Sequence, residues 1–246
     1  MAFRIKTAII VLVGQSLLAA PRTGTLRKTP AGPGPNTAAV HVRHRHWRHG
    51  GPGELRVTAE GLAFQETGKH RDHSRVWKYS DIQQLELTET TLRVLTYEDR
   101  KREFGRDREF VFDELPRNFA KSVYPQWKDQ LDQRFVAAIA DPEITAMAEF
   151  PAKLTALTRG VEGTLVFADD RIVFRAAQPG ESRTWRFTDI ENIASAGSFD
   201  FSVVTLEHHG SWNTATREFR FQLQRPMEEA RYNELWRRVL RVHQPR

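Results

Sequence analysis

A six-residue phrase occurs twice in the chain. Trp77-Lys78-Tyr79-Ser80-Asp81-Ile82 returns as Trp185-Arg186-Phe187-Thr188-Asp189-Ile190. Both copies read aromatic, basic, aromatic, hydroxyl, Asp, Ile, so whatever surrounds one should surround the other. The flanks agree. Gly53-Glu54-Leu55 is answered by Gly163-Thr164-Leu165, an offset of 110, and Leu62-Ala63-Phe64 by Ile172-Val173-Phe174 at the same offset. Arg108-Glu109-Phe110-Val111-Phe112 is answered by Arg217-Glu218-Phe219-Arg220-Phe221 at 109, and by residue identity Trp127 and Leu131 align with Trp236 and Leu240, also at 109. Offsets that drift by one or two residues mark loop insertions between equivalent strands. The chain reads as a tandem duplication.

Each copy alternates as half-buried strands do. Glu54-Leu55-Arg56-Val57 leads through the turn Glu60-Gly61 into Leu62-Ala63-Phe64. Further strands are expected at 76–79, 82–87, 91–97 and 108–112. A helical tract then opens at Pro116, with Tyr124, Trp127, Leu131 and Phe135 on one face and a break expected at Pro125. Each copy thus has about seven short strands and one amphipathic helix.

Ahead of the first copy, Arg4 and Lys6 precede the apolar run Thr7–Leu18, and Leu18-Ala19-Ala20 offers a small-residue cleavage site. This is the layout of a signal peptide over residues 1–20. It predicts export, to the periplasm or outside the cell, or a membrane anchor if the segment is not cleaved. Residues 21–40, with four prolines and three glycines, read as an extended linker. The chain has no cysteine, so disulfides, thiolate metal sites and a cysteine nucleophile are excluded, and stability must come from core burial.

A formal charge of +6 and a pI near 9.8 invite a nucleic-acid reading. Partition by segment removes it. Residues 41–150 hold 18 basic against 19 acidic groups, and 151–246 hold 14 against 12, so most of the excess sits in the leader and linker. No clustered phosphate-neutralising surface is evident, and nucleic acid is not expected as a partner.

The pattern G-x-L-x-V-x-x-x-G-L-x-F, then W-x-Y-S-D-I, then a terminal helix bearing Trp127, resembles the pleckstrin-homology (PH) superfamily, its bacterial and GRAM-like members most of all. The resemblance covers residues 41–135 and 151–243. It implies a mainly β (α+β) protein of two tandem PH-like bent antiparallel β-barrels, each closed by a C-terminal amphipathic helix, with domains at 41–140 and 150–243. It also implies binding modules for lipid headgroups or peptides, with no enzymatic activity and no cofactor.

The first strand holds His41, His44 and His46, with His49 just beyond. His44 and His46 share a strand face, as two metal ligands could, but the second copy has Leu154 and Ala156 at those places. An inward, structural position is therefore expected; a pH-sensitive or ligand site is the alternative, and no third metal ligand can be placed, so no metal site is assigned. On the opposite face Arg43, Arg45 and Trp47 project together, with Arg48 and Arg56 across the turn, and in the PH family the loop between the first two strands often carries basic groups. These five form the candidate contact surface. Asp81 and Asp189 are expected to fix a bend by accepting backbone N–H bonds, and Trp77, Trp127, Trp185 and Trp236 to be core aromatics. No G-x-S-x-G elbow, phosphate loop or H-E-x-x-H motif is present. The expected function is a non-catalytic scaffold that binds a protein partner. One alternative is binding to an anionic lipid surface through the Arg/Trp strand, and another is an enzyme using the His-rich strand.

Overall fold

The computed structural model describes residues 38–45, 50–67, 74–100, 106–155, 159–208 and 216–244. All lie in one compact unit, Pro33–Arg246. Seven strands come first: β1 (Ala38–Arg45), β2 (Pro52–Val57), β3 (Gly61–Glu66), β4 (Arg75–Lys78), β5 (Ile82–Thr88), β6 (Leu92–Asp99) and β7 (Asp107–Asp113). Helix α1 (Phe119–Gln130) and a short strand β8 (Phe135–Ala138) follow. Seven more strands then appear: β9 (Ala148–Thr155), β10 (Val161–Phe167), β11 (Arg171–Ala176), β12 (Arg183–Arg186), β13 (Ile190–Gly197), β14 (Asp200–Thr205) and β15 (Arg217–Leu223). Helix α2 (Glu229–His243) ends the series.

Strand order repeats along with element order. The first half pairs as β5-β6-β7-β1-β2-β3-β4 and the second as β13-β14-β15-β9-β10-β11-β12. Register repeats too, for Val42 lies opposite Gly53 and Ala152 opposite Gly163. Both glycines are needed for the same reason. A Cβ on Gly53 would fall within 2.5 Å of the Phe64 ring, and one on Gly163 within 2.8 Å of the Phe174 ring. The recurring G-x-L therefore records a ring laid over a bare backbone.

The duplicated phrase turns the corner between the fourth and fifth strands of each half. Asp81 accepts the Lys78 backbone N–H at 3.0 Å, and Asp189 accepts that of Arg186 at 3.1 Å, each at the end of a 3₁₀ turn. Both aspartates thus fix the bend as expected. Two separate cores lie beneath. One is built on Leu55, Phe64, Trp77, Phe112 and Trp127; the other on Leu165, Phe174, Trp185, Phe201 and Phe221. Each such side chain contributes roughly 1.5–3 kcal/mol on burial, which is how a chain without disulfides holds together.

Three expectations need correction. The halves are not closed barrels. Among the described residues no pairing joins β4 to β5 or β12 to β13, and the fifteen described strands form one sheet with β4 and β13 at its ends. Closure fails because the 3₁₀ corner carries the chain off the fourth strand before the fifth begins. β8 occupies the opening between the halves instead, parallel to β5 (Leu87 opposite Ala137) and antiparallel to β12 (Thr184 opposite Ala137). Second, α1 runs unbroken through Pro125. The lost backbone bond is offset by Val123, Tyr124 and Trp127, all buried. Third, Trp236 is 41% exposed, because the helices correspond at an offset of 108. Buried Trp127 and Leu131 are answered by buried Leu235 and Val239. The exchange has a cause. The Trp127 indole donates to the Tyr79 hydroxyl at 3.0 Å, and the second copy of the phrase has Phe187, without a hydroxyl, in place of Tyr79.

Candidate functional site

On β1 the alternation holds: Val42 and His44 are buried, and Arg43 and Arg45 face out. His44 takes the place that Leu154 has in β9 and sits among Phe64, Phe110 and Phe112, with ring centroids 5.5–6.0 Å away. It is a core residue, at 3% exposure. His46, Trp47 and Arg48 lie outside the described residues. The described arginines do not converge. Arg45 makes a two-pronged pair with Asp113, at 2.7 and 2.6 Å, which raises its pKa through the side-chain hydrogen bond and the charge of Asp113. Arg56 is paired with Glu54. It stands opposite Ala39, whereas Arg43 stands opposite Pro52, four residues along the strand and so roughly 13 Å apart. Among the described residues no three His, Asp or Glu side chains are grouped to hold a metal.

The densest polar cluster lies at the joint between the halves. Trp185 on β12 donates its indole N–H to Glu207 at 3.1 Å, and Glu207 also faces Arg183 (3.4 Å) and Arg217 (3.6 Å). Arg183 reaches across to Glu86 on β5 at 3.1 Å. Burial pushes the Glu207 carboxyl up despite the two guanidinium groups, and burial lowers the Arg217 pKa, with Arg183 adding to that. A second link runs through Asp141, which accepts the Tyr124 hydroxyl at 2.9 Å and pairs with Arg171. Burial, with Asp141 beside it, raises the Tyr124 pKa well above the usual phenol range. Arg186 caps the end of α1 by donating to the Lys128 and Asp132 carbonyl oxygens, where a helix C-terminus favours a cation. Gln84 and His208 exchange backbone–amide bonds at 2.8 and 3.3 Å.

The same constellation stands in the first half with its cover removed. Glu98 pairs with Arg108 at 3.3 Å, as Glu207 faces Arg217, but the Glu98 side chain is 52% exposed against 9% for Glu207. Thr96 donates to the Arg108 carbonyl as Thr205 does to that of Arg217. The Trp77 indole nitrogen, buried like that of Trp185, has no hydrogen-bond partner among the described residues. Sequence reasoning missed this cluster, although Glu98/Glu207 and Arg108/Arg217 recur at the offset of 109 already seen in the strands.

Among the described residues, Tyr97 and Phe199 are exposed apolar side chains, as are others on α2 and β4. On α2, Trp236, Leu240 and Val242 face solvent, the first two beside Glu191 and Asn192 of β13. On β4, at the other end of the sheet, Val76 is 79% exposed. No helix among the described residues is long and apolar enough to cross a membrane.

No family model matches this sequence, and no curated protein sequence matches it. Similar solved structures include the Spt16D Pob3N heterodimer, at 10% identity and a TM-score of 0.32, covering 74% of this chain and 95% of that one. The human ARAP2 N-terminal PH domain is similar at 10% identity and a TM-score of 0.30, over 54% of this chain and all of that one. The C-terminal domain of an unknown protein from Leishmania infantum is similar at 15% identity and a TM-score of 0.30, over 49% and 97%. None reaches a TM-score from which a shared fold follows, so the architecture stands on the chain's own strand order and register.

Proposed function

We propose that the chain is an exported, non-catalytic binding protein of two PH-like repeats that arose by tandem duplication, and that it holds a protein partner against its second repeat. One observation carries the partner reading. At the helix offset of 108, exposed Trp236 and Leu240 correspond to Lys128 and Asp132. In the first repeat, those two residues supply the carbonyl oxygens on which Arg186 of the second repeat docks. Backbone carbonyls at the end of α1 carry a contact in one repeat, and the corresponding positions of α2 are open and apolar in the other. Apolar groups clustered on a surface mark interaction sites, and tryptophan is among the residues enriched as anchors of such contacts. The anionic-membrane alternative loses support, since Arg45 and Arg56 are already neutralised by carboxylates.

The test is cross-linked capture from the source organism's extracytoplasmic proteins, using the full chain and a Trp236→Glu/Leu240→Glu variant of unchanged melting temperature. Retention of at least one protein about tenfold better by the wild type is expected, the loss a buried anchor gives. Equal capture by both would overturn the reading. So would salt-reversible binding to anionic vesicles that is lost in Arg43→Ala/Arg45→Ala. Export rests on residues 1–20. The chain purified from its source should have a mass that begins at or near Pro21, and an intact Met1 in a cytoplasmic fraction would contradict it.

A further inference from the structure

We propose that the outer edge of β4 is an acceptor site for an extended apolar segment of a partner protein, which adds antiparallel to it as one more strand. This rests on the binding-protein reading above and assigns a second surface to it. The chain itself supplies the precedent. β12 is the counterpart of β4, Arg183-Thr184-Trp185-Arg186 against Arg75-Val76-Trp77-Lys78, and its outer edge carries β8. Under that cover Thr184 is only 4% exposed, accepts the Asp141 N–H at 2.9 Å and donates to the Ile139 carbonyl at 2.8 Å. On β4 the same position is Val76, which lies almost wholly in solvent at the end of the sheet. Exposed edges are usually blunted by shortness or charge; this one is four residues long with Arg75 and Lys78 at its ends, and it still leaves a bare valine between them.

The surroundings of the edge agree. The Trp77 indole is a buried donor without a partner among the described residues, and the Glu98–Arg108 pair beside it is open where Glu207–Arg217 is closed over. Lys78 is exposed, and its counterpart Arg186 holds two carbonyl oxygens of the chain that leads into β8. The occupant therefore has the chemistry of that stretch: a turn with free carbonyls running into a short strand of apolar residues, as Asp132 to Ala138 do. A second copy of the chain docking by its own free edge fits less well. Where β5 offers Glu86 to Arg183, β13 has Ala194 at the equivalent place.

A fluorescent peptide of residues 131–140, titrated with the full chain and followed by anisotropy, tests the site. Saturable binding is expected, weakened about tenfold or more by Val76→Asp and retained by Val76→Thr, the residue β12 uses, a loss of the size given by a charge against an apolar contact. The assigned Trp77 indole resonance should shift while that of Trp185 stays put. Val76 is exposed enough that neither variant should change the melting temperature. Absence of saturable binding would overturn the proposal. So would a shift of Trp185 instead, which would mean the peptide had exchanged into the place of β8. Binding lost in Trp236→Glu/Leu240→Glu but kept in Val76→Asp would sink this site and leave the α2 surface standing. Dimerisation of the chain abolished by Val76→Asp would replace the proposed occupant with a second copy.

Discussion

Replacing Glu207 with alanine is expected to lower stability by about 3–5 kcal/mol, the cost of removing one partner from a buried ion pair. The carboxylate is the shared acceptor of the Trp185 indole and faces both Arg183 and Arg217. Alanine leaves the Arg217 charge and the Trp185 donor without their acceptor, and Arg183 with Glu86 alone. Glu207→Gln keeps an acceptor for the indole and fills the same space, so it should cost less than alanine although it too removes the charge. The pH dependence separates the two effects. The folded-state pKa of Glu207 is raised above its ordinary 4.5, by burial first. A carboxyl raised in this way binds its proton more tightly when folded. Its contribution is therefore most favourable below about 4.5 and is lost as pH rises through the folded value. Denaturant melts of wild type and Glu207→Gln should show the difference shifting in favour of glutamine between pH 4.5 and 8. A shift in favour of glutamate would mean that the arginines outweigh burial.

Ala137→Pro should cost about 3 kcal/mol or more. Ala137 is the residue at which the two halves meet, opposite Leu87 on one side and Thr184 on the other, and it is buried. Proline has no N–H to give to a ladder and is not accommodated in the middle of a sheet. The expected consequence goes beyond a lower midpoint. With β8 displaced, the two cores, which share no residue, lose the strand that couples them, and a single denaturant transition should become two. Replacement of Val136, which lies on the same strand but opposite only Glu86, by alanine should lower the midpoint without splitting the transition.

The parts of this architecture that were legible in the sequence are those that repeat locally. Trp77–Ile82 and Trp185–Ile190 located the same corner twice, and the alternation of Leu55, Val57, Leu62 and Phe64 located the core face of β2 and β3. His44 was read as inward because the second copy has Ala152, Leu154 and Ala156 at the places of Val42, His44 and His46, and it is buried. What could not be read depends on contacts between residues distant in sequence. β8 is four residues, Phe135–Ala138, too short to carry a period, and it follows a helix whose apolar spacing Phe135 continues. Glu86 on β5, Arg183 on β12 and Glu207 just beyond β14 are far apart in sequence, so no local spacing announces them. The helix register was misread for a related reason. Identity matched Trp127 to Trp236, whereas packing matches Tyr124, Trp127 and Leu131 to Tyr232, Leu235 and Val239, and only the hydroxyl lost between Tyr79 and Phe187 explains why the tryptophan is not kept. The basic surface was legible as residues but not as charge, because Asp113 and Glu54 neutralise Arg45 and Arg56 from β7 and from two residues away.

The central claim is that β8 welds two repeats with separate cores into one cooperative body. Native-state hydrogen exchange on the wild type and on Ala137→Pro tests it most directly, because protected amides report the free energy of the opening that exposes them. In the wild type the slowest amides of β2, β5, β10 and β12 should share one opening free energy, and in Ala137→Pro those of the two halves should separate. Two distinct opening free energies already present in the wild type would contradict the account, leaving the repeats as independent domains with β8 a mere linker.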